Sequence, residues 1–135
     1  MSGIKYLLDT KMEQLHSFFA HQENIELALL IGSRAHGQAR KESDWDFAIQ
    51  WRRDIPWGDV LEHTETLRAA LAKYLQATQD QIDIVDIPTA RLAMRAVVAE
   101  EGLLLKGDNT LPWSHFLLRT WGDLEDFYWA KNHAA

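Results

Sequence analysis

Apolar residues recur along this chain with two different periods, and each change of period marks a predicted element. Leu8, Met12, Leu15 and Phe19 fall at helical spacing. Thr10, with Glu13 three residues on, matches a capping box, so a first amphipathic helix is predicted from there to about Gln22. "IELALLI" (Ile25 to Ile31) is an almost unbroken apolar run that Gly32 stops, which predicts a buried strand. "DWDFAIQW" (Asp44 to Trp51) alternates, with Trp45, Phe47 and Ile49 on one face and Asp44, Asp46 and Ala48 on the other. After Pro56 the helical period returns through Val60, Thr64, Leu67, Leu71 and Leu75. "QIDIVDI" (Gln81 to Ile87) predicts a third strand, terminated by Pro88. Arg91 to Glu101 reads as a helix with Leu92, Val97 and Val98 facing inward, ended by Gly102. "LLL" (Leu103 to Leu105) adds a short strand, and from Pro112 the pattern is helical again. The order α-β-β-α-β-α-β-α predicts an α/β (α+β) sandwich, a small mixed sheet flanked by helices.

Composition narrows the class. With 135 residues, 47% hydrophobic and 25% charged, the chain is expected to form a single domain over residues 1–135 with one real core. It has no cysteine, no secretion signal at "MSGIKYLLDTKMEQ" and no apolar segment of membrane-span length, so a cytoplasmic protein without a membrane partner is expected. The net charge of −6 argues against direct nucleic-acid binding, which relies on a basic face. It does not oppose binding of a nucleotide whose phosphates arrive with magnesium.

The candidate chemistry lies in "LLIGSRAHGQARKESDWDFAIQW". Asp44 and Asp46 share a strand face, about 6.5–7 Å apart along the backbone. Two unpartnered carboxylates that close repel each other; a hard divalent cation removes the cost. The plain alternative is a pair of solvent-facing aspartates. An EF-hand is excluded, because its downstream glycine and glutamate are missing. Upstream, Gly32 and Ser33 stand where a buried strand turns toward a short helix, a place where backbone N–H groups and a hydroxyl can hold phosphate. Alone, Gly-Ser is only a turn. A third carboxylate is wanted to complete a metal shell or to act as base. Asp83 and Asp86 point to opposite strand faces, so one at most serves; Asp83, between Ile82 and Ile84, is the better placed.

Gly32-Ser33, ten residues and then Asp44-x-Asp46 resembles the GS-x10-D-x-D signature of the polymerase-beta-like nucleotidyltransferases. "GSRAHG" and the small size are similar to the minimal nucleotidyltransferases (MNT), the MntA-type antitoxins of bacterial HEPN/MNT toxin–antitoxin pairs. The resemblance runs from Leu29 to Asp108. It implies a polymerase-beta-like nucleotidyltransferase fold, two Mg2+ ions and ATP as substrate. It further implies that Gly32 and Ser33 hold the triphosphate, Asp44 and Asp46 bind metal, and Asp83 is the third carboxylate. The partner implied is a cognate HEPN ribonuclease toxin, silenced by transfer of AMP to a tyrosine. His36 departs from the usual wording, where arginine is common; it is read as an exposed loop residue or a phosphate contact. Arg34, a loop cation, is expected to help bind the nucleotide by neutralising triphosphate charge, and Arg40 and Lys41 read as a solvated basic loop or as further neutralisers.

Three of the six tryptophans lie after residue 110. Trp113, Phe116, Leu117, Thr120, Trp121, Leu124 and Tyr128 form one helical stripe, widened by Phe127 and Trp129, with Gly122 a candidate kink. A helix over about 111–131 is expected, facing the core or anchoring a partner through some of its rings. Besides the adenylyltransferase reading stand a pure binding antitoxin and a stand-alone transferase for a small molecule such as an aminoglycoside. A pure binder has no need of clustered acids, and the short chain leaves little room for a substrate domain.

Overall fold

The computed structural model describes residues 2–40 and 42–134, with side chains from Thr10 onward, so Leu8 and Lys41 lie outside the described side chains. The elements follow the predicted order: α1 (Ser2–Ala20), β1 (Ile25–Ile31), β2 (Trp45–Trp51), α2 (Trp57–Leu75), β3 (Ile82–Asp86), α3 (Leu92–Glu101), β4 (Leu103–Lys106) and α4 (Leu111–His133). Single 3-10 turns flank β3 at Gln79–Gln81 and Ile87–Thr89.

The four strands form one sheet in the order β3-β2-β1-β4. β1 pairs antiparallel with β2 and β4, while β2 pairs parallel with β3. The two centre strands are covered on both faces, which is why "IELALLI" and "WDFAIQW" are so apolar. On one face Leu15 and Phe19 of α1 and Leu67, Leu71 and Leu75 of α2 pack on Ile25, Leu30, Phe47 and Ile49. Full burial of a Leu or Phe side chain contributes about 1.5–3 kcal/mol, so this face is the main source of stability. On the other face Val98 of α3 and Phe116 of α4 cover Leu27, Leu29, Ile31 and Ala48. A register shift between Ile25 and Leu27 puts Ile25 and Ala28 on the same face despite their odd spacing.

Several boundaries differ from the sequence expectation. α1 begins at Ser2, so Thr10 lies inside the helix and caps nothing. The capping pattern occurred by chance within a helix whose register its apolar face sets. β3 is shorter than "QIDIVDI", because Pro88 draws Ile87 into the following 3-10 turn. α3 buries Val98 and also Arg95, whereas Leu92 and Val97 are only half-buried. α4 runs uninterrupted through Gly122. Its first half is core, with Phe116 and Thr120 buried, whereas Phe127, Tyr128 and Trp129 are exposed, so the stripe faces the core only in part. No helix among the described residues is long and apolar enough to cross a membrane.

Candidate functional site

The site is assembled at one end of the sheet, where β1 leaves and β2 and β3 enter. Asp46 is the second residue of β2; Ile31 of β1 is its register partner on one side and Asp83 of β3 on the other. The pairing therefore sets two carboxylates side by side on neighbouring strands. Arg68 of α2 donates to the Ile82 carbonyl and so ties the start of β3 to the helix layer. Asp44 precedes the strand by one residue and is exposed.

These acids act on one another. The Asp46 carboxyl is pushed above its ordinary 3.8, first by partial burial, then by the charge of Asp83 and a hydrogen bond with its side chain, and finally by the charge of Asp44. Asp83 is exposed, not embedded between its isoleucines, because β3 is an edge strand. What selects it is its register opposite Asp46. Asp86 belongs elsewhere: it pairs with Ile49, and its Oδ2 accepts from the Thr89 hydroxyl at 2.8 Å.

The chain turns directly over the acids after β1. Gly32 has φ +77°, and a Cβ built on it would lie 2.3 Å from Oδ2 of Asp46. Only glycine lets the turn and the carboxylate approach this closely. Beyond it come successive turns instead of the expected short helix: the Ala35 N–H donates to the Gly32 carbonyl at 3.0 Å, and those of His36 and Gln38 donate to the Ser33 carbonyl at 3.2 and 3.1 Å. Gly37, at φ +70°, and the polar residues around it favour turns over a helix. The half-buried Ser33 hydroxyl has no hydrogen-bond partner among the described residues.

Arg34 closes this loop. Its Nε and Nη2 donate to the Ser43 carbonyl at 3.2 and 2.8 Å, and Nη2 also reaches the Arg40 carbonyl at 3.3 Å. Its guanidinium lies 4.0 Å over the Trp45 ring. Burial lowers its pKa while the charge of Asp44 works the other way. Ser43 and Trp45 thus seat the arginine, a role that a motif of glycine, serine and aspartates does not signal. His36 stands 3.8 Å from Glu101 of α3, and Arg40 is exposed. A cavity of about 590 Å³ opens on the Trp45 side, lined by Lys11, Arg34, Glu42 and Gln81, and none of the three acids lines it.

No group of three His, Cys, Asp or Glu side chains among the described residues is positioned to hold a metal by itself. The donors nevertheless suit a hard cation. Asp83 is close enough for its charge to act on Asp46, and no described cationic side chain pairs with either. Magnesium takes one or two carboxylates and completes its shell with water and phosphate oxygens, so an incomplete protein cage fits it.

A family model, "Polymerase beta, Nucleotidyltransferase", matches residues 13–110. The chain belongs to this nucleotidyltransferase family. The matched span holds the whole acid cluster and stops just before α4. No curated protein sequence matches the chain. Solved structures share the nucleotidyltransferase fold over nearly the full length. One is a toxin–antitoxin with AMP-PNP, at 20% identity and TM-score 0.66, covering 88% of this chain and 92% of that one. Another is the toxin–antitoxin MntA-HepT, at 20% and 0.59, covering 94% and 92%. A third holds a tri-AMPylated Shewanella oneidensis HEPN toxin in complex with MNT antitoxin, also at 20% and 0.59, covering 94% and 92%.

Proposed function

We propose that this nucleotidyltransferase is an antitoxin that transfers AMP from ATP to a tyrosine of a cognate HEPN ribonuclease toxin in the cytoplasm and thereby neutralises it. The observation that carries the reading is the pairing of Asp46 with Asp83 on neighbouring strands, with Asp46 directly beside the Gly32 turn and Asp44 near enough for its charge to act on Asp46. The known structures of this fold support the biological setting, since they include a toxin–antitoxin with AMP-PNP and a tri-AMPylated HEPN toxin with its MNT antitoxin.

In this reading the Gly32 turn lets the triphosphate approach the backbone, and the unpartnered Ser33 hydroxyl donates to a phosphate oxygen. Arg34 holds the loop in shape and adds positive charge beside the phosphates. Asp44, Asp46 and Asp83 hold magnesium, which supplies neutralisation of phosphate charge when bound. The tyrosine oxygen forms a bond to the α-phosphorus as the bond to the β-phosphate oxygen breaks, and pyrophosphate leaves. The exposed carboxylate of Asp83 is the acceptor for the hydroxyl proton. We take residues 1–135 as one functional unit that includes α4.

The test is to incubate the chain with each labelled nucleoside triphosphate, magnesium and the HEPN protein encoded beside it. Label from ATP on a tyrosine of the partner is expected with the parent and is absent with the Asp44→Asn/Asp46→Asn double variant. In cells that variant should still bind the toxin yet fail to protect. Full protection by the double variant would replace this reading with neutralisation by binding alone.

A further inference from the structure

At the end of the sheet away from the acids, a cavity of about 400 Å³ is lined by Trp51, Ile55, Trp57 and Pro88, with Gln50, Arg53 and Arg119 among its polar groups. A second hollow of about 250 Å³ adjoins it and shares Gln50, Arg53 and Arg119, adding His115. The two form one groove, with an aromatic and aliphatic half joined to a cationic half. Its residues come from the end of β2, the start of α2, the turn after β3 and the middle of α4. Five residues of extended strand separate Asp46 from Trp51, about 17 Å, so a ligand here is distinct from one at the acids.

The charges are distributed unevenly. Arg52 is paired with Asp54 at 2.8 Å; Asp86 also lines the larger cavity and accepts from the Thr89 hydroxyl, so one carboxylate stands in the lining against the two guanidinium groups of Arg53 and Arg119. The buried Gln50 amide donates to Glu26 at 2.9 Å. Arg53 and Arg119, by contrast, have no ion-pair or hydrogen-bond partner among the described residues. In a chain of net charge −6, two unpaired guanidinium groups at the join of two hollows mark an anion subsite. Guanidinium forks match phosphate oxygens in pairs. The Trp57 ring, 60% exposed on the rim, offers a flat face to a planar group.

We infer that this groove is a second ligand site, for a mononucleotide, the base against Trp57 and the phosphate between Arg53 and Arg119. A flat ring carrying one phosphate satisfies both halves of the groove, whereas an acidic peptide leaves the aromatic half unfilled. The site is independent of the transfer chemistry and of the metal.

The experiment is calorimetric titration of AMP into the full chain with chelator present, alongside adenosine and inorganic phosphate. AMP should bind more tightly than either fragment, and Arg53→Gln or Arg119→Gln should each weaken it about tenfold or more, the scale of a charged hydrogen bond. Both arginines are exposed, so folding should survive, and Trp57→Leu gives an independent variant. Photolabelling with an azido-AMP should mark peptides around 50–60 or 112–119. Absence of AMP binding, equal affinity for adenosine, insensitivity to both arginine substitutions, or label confined to residues 29–46 would each overturn the proposal.

Discussion

Gly32→Ala and Gly37→Ala form a matched pair that isolates the contact between the turn and the acids. Both glycines are left-handed, at φ +77° and +70°, so alanine costs about 1–2 kcal/mol of backbone strain at either position. Only their surroundings differ. A Cβ at Gly37 meets nothing within 4 Å, whereas at Gly32 it lies 2.3 Å from Oδ2, 3.2 Å from Cγ and 3.4 Å from Cβ of Asp46. To regain an ordinary contact of 3.4 Å the carboxylate oxygen must retreat by about 1 Å. The Asp46 side chain is short and able to swing, so the fold yields at little further cost while the acid leaves its place. A misplacement of 1 Å at a reacting centre costs about 100-fold in rate. The expected result is a Tm lowered by roughly 3–8 °C in both variants. Nucleotide transfer, in contrast, falls about 100-fold in Gly32→Ala and stays near the parental rate in Gly37→Ala. Thermal unfolding and a labelled-ATP transfer assay read the two quantities. Equal transfer rates in the two variants would refute the assignment of Asp46 to the reacting centre.

Other outcomes follow from single contacts. Because the raised Asp46 pKa means that the folded chain holds this proton more tightly than the unfolded chain, the ionised form weakens the metal-free fold above that pKa, and the penalty is gone below 3.8. Asp46→Asn should therefore raise stability in chelator at pH 7 but not below pH 3.8, measured by urea unfolding; a gain that persists in acid would contradict the charge explanation. Ser33→Ala should weaken triphosphate binding by about 1–3 kcal/mol if its hydroxyl bonds phosphate, and unchanged affinity and turnover would leave Ser33 a turn residue. Asp123→Ala removes the 2.9 Å partner of Arg95, a buried side chain whose Nε and Nη1 already lack one. Because Asp123 is itself half-exposed and water can reach the gap, the loss should be about 2 kcal/mol in chemical unfolding, below the range for a fully buried pair. A change within 0.5 kcal/mol, typical of a surface substitution, would show that Arg95 is satisfied without it.

Much of the fold was legible because the centre strands are covered on both faces and the helices on one. That contrast separates "IELALLI" and "WDFAIQW" from the 3.6-residue stripes of α1 and α2. Element ends were less legible, because local signals compete there with packing. Thr10 and Glu13 match a capping box but sit mid-helix, and Pro88 shortens β3 by favouring a turn one residue earlier than the apolar run ends. In α4 the same stripe is core around Phe116 and solvent-facing at Trp129, 64% exposed. Periodicity reports that a face is apolar, and only the length of the covering sheet decides where the cover stops.

The candidate site and the distal groove differ in how the sequence encodes them. Gly32, Ser33, Asp44 and Asp46 belong to one antiparallel strand pair and the loop that joins it, so a single local connection suffices to bring them together. Asp83 needed one further fact, the parallel register of β3: its place between two isoleucines does not bury it, and it is exposed beside Asp46. Arg34 was legible as a loop cation, but its seat on Trp45 and the Ser43 carbonyl depends on how the loop closes. The groove draws Arg53 and Trp57, Pro88 and Arg119 from three separated segments, none of which forms a motif. Sites made by one hairpin leave a spacing in the sequence; sites made where several elements end leave only residue types. Two tryptophans and three arginines around one hollow, in an acidic chain, become informative only once the sheet has brought them to one end.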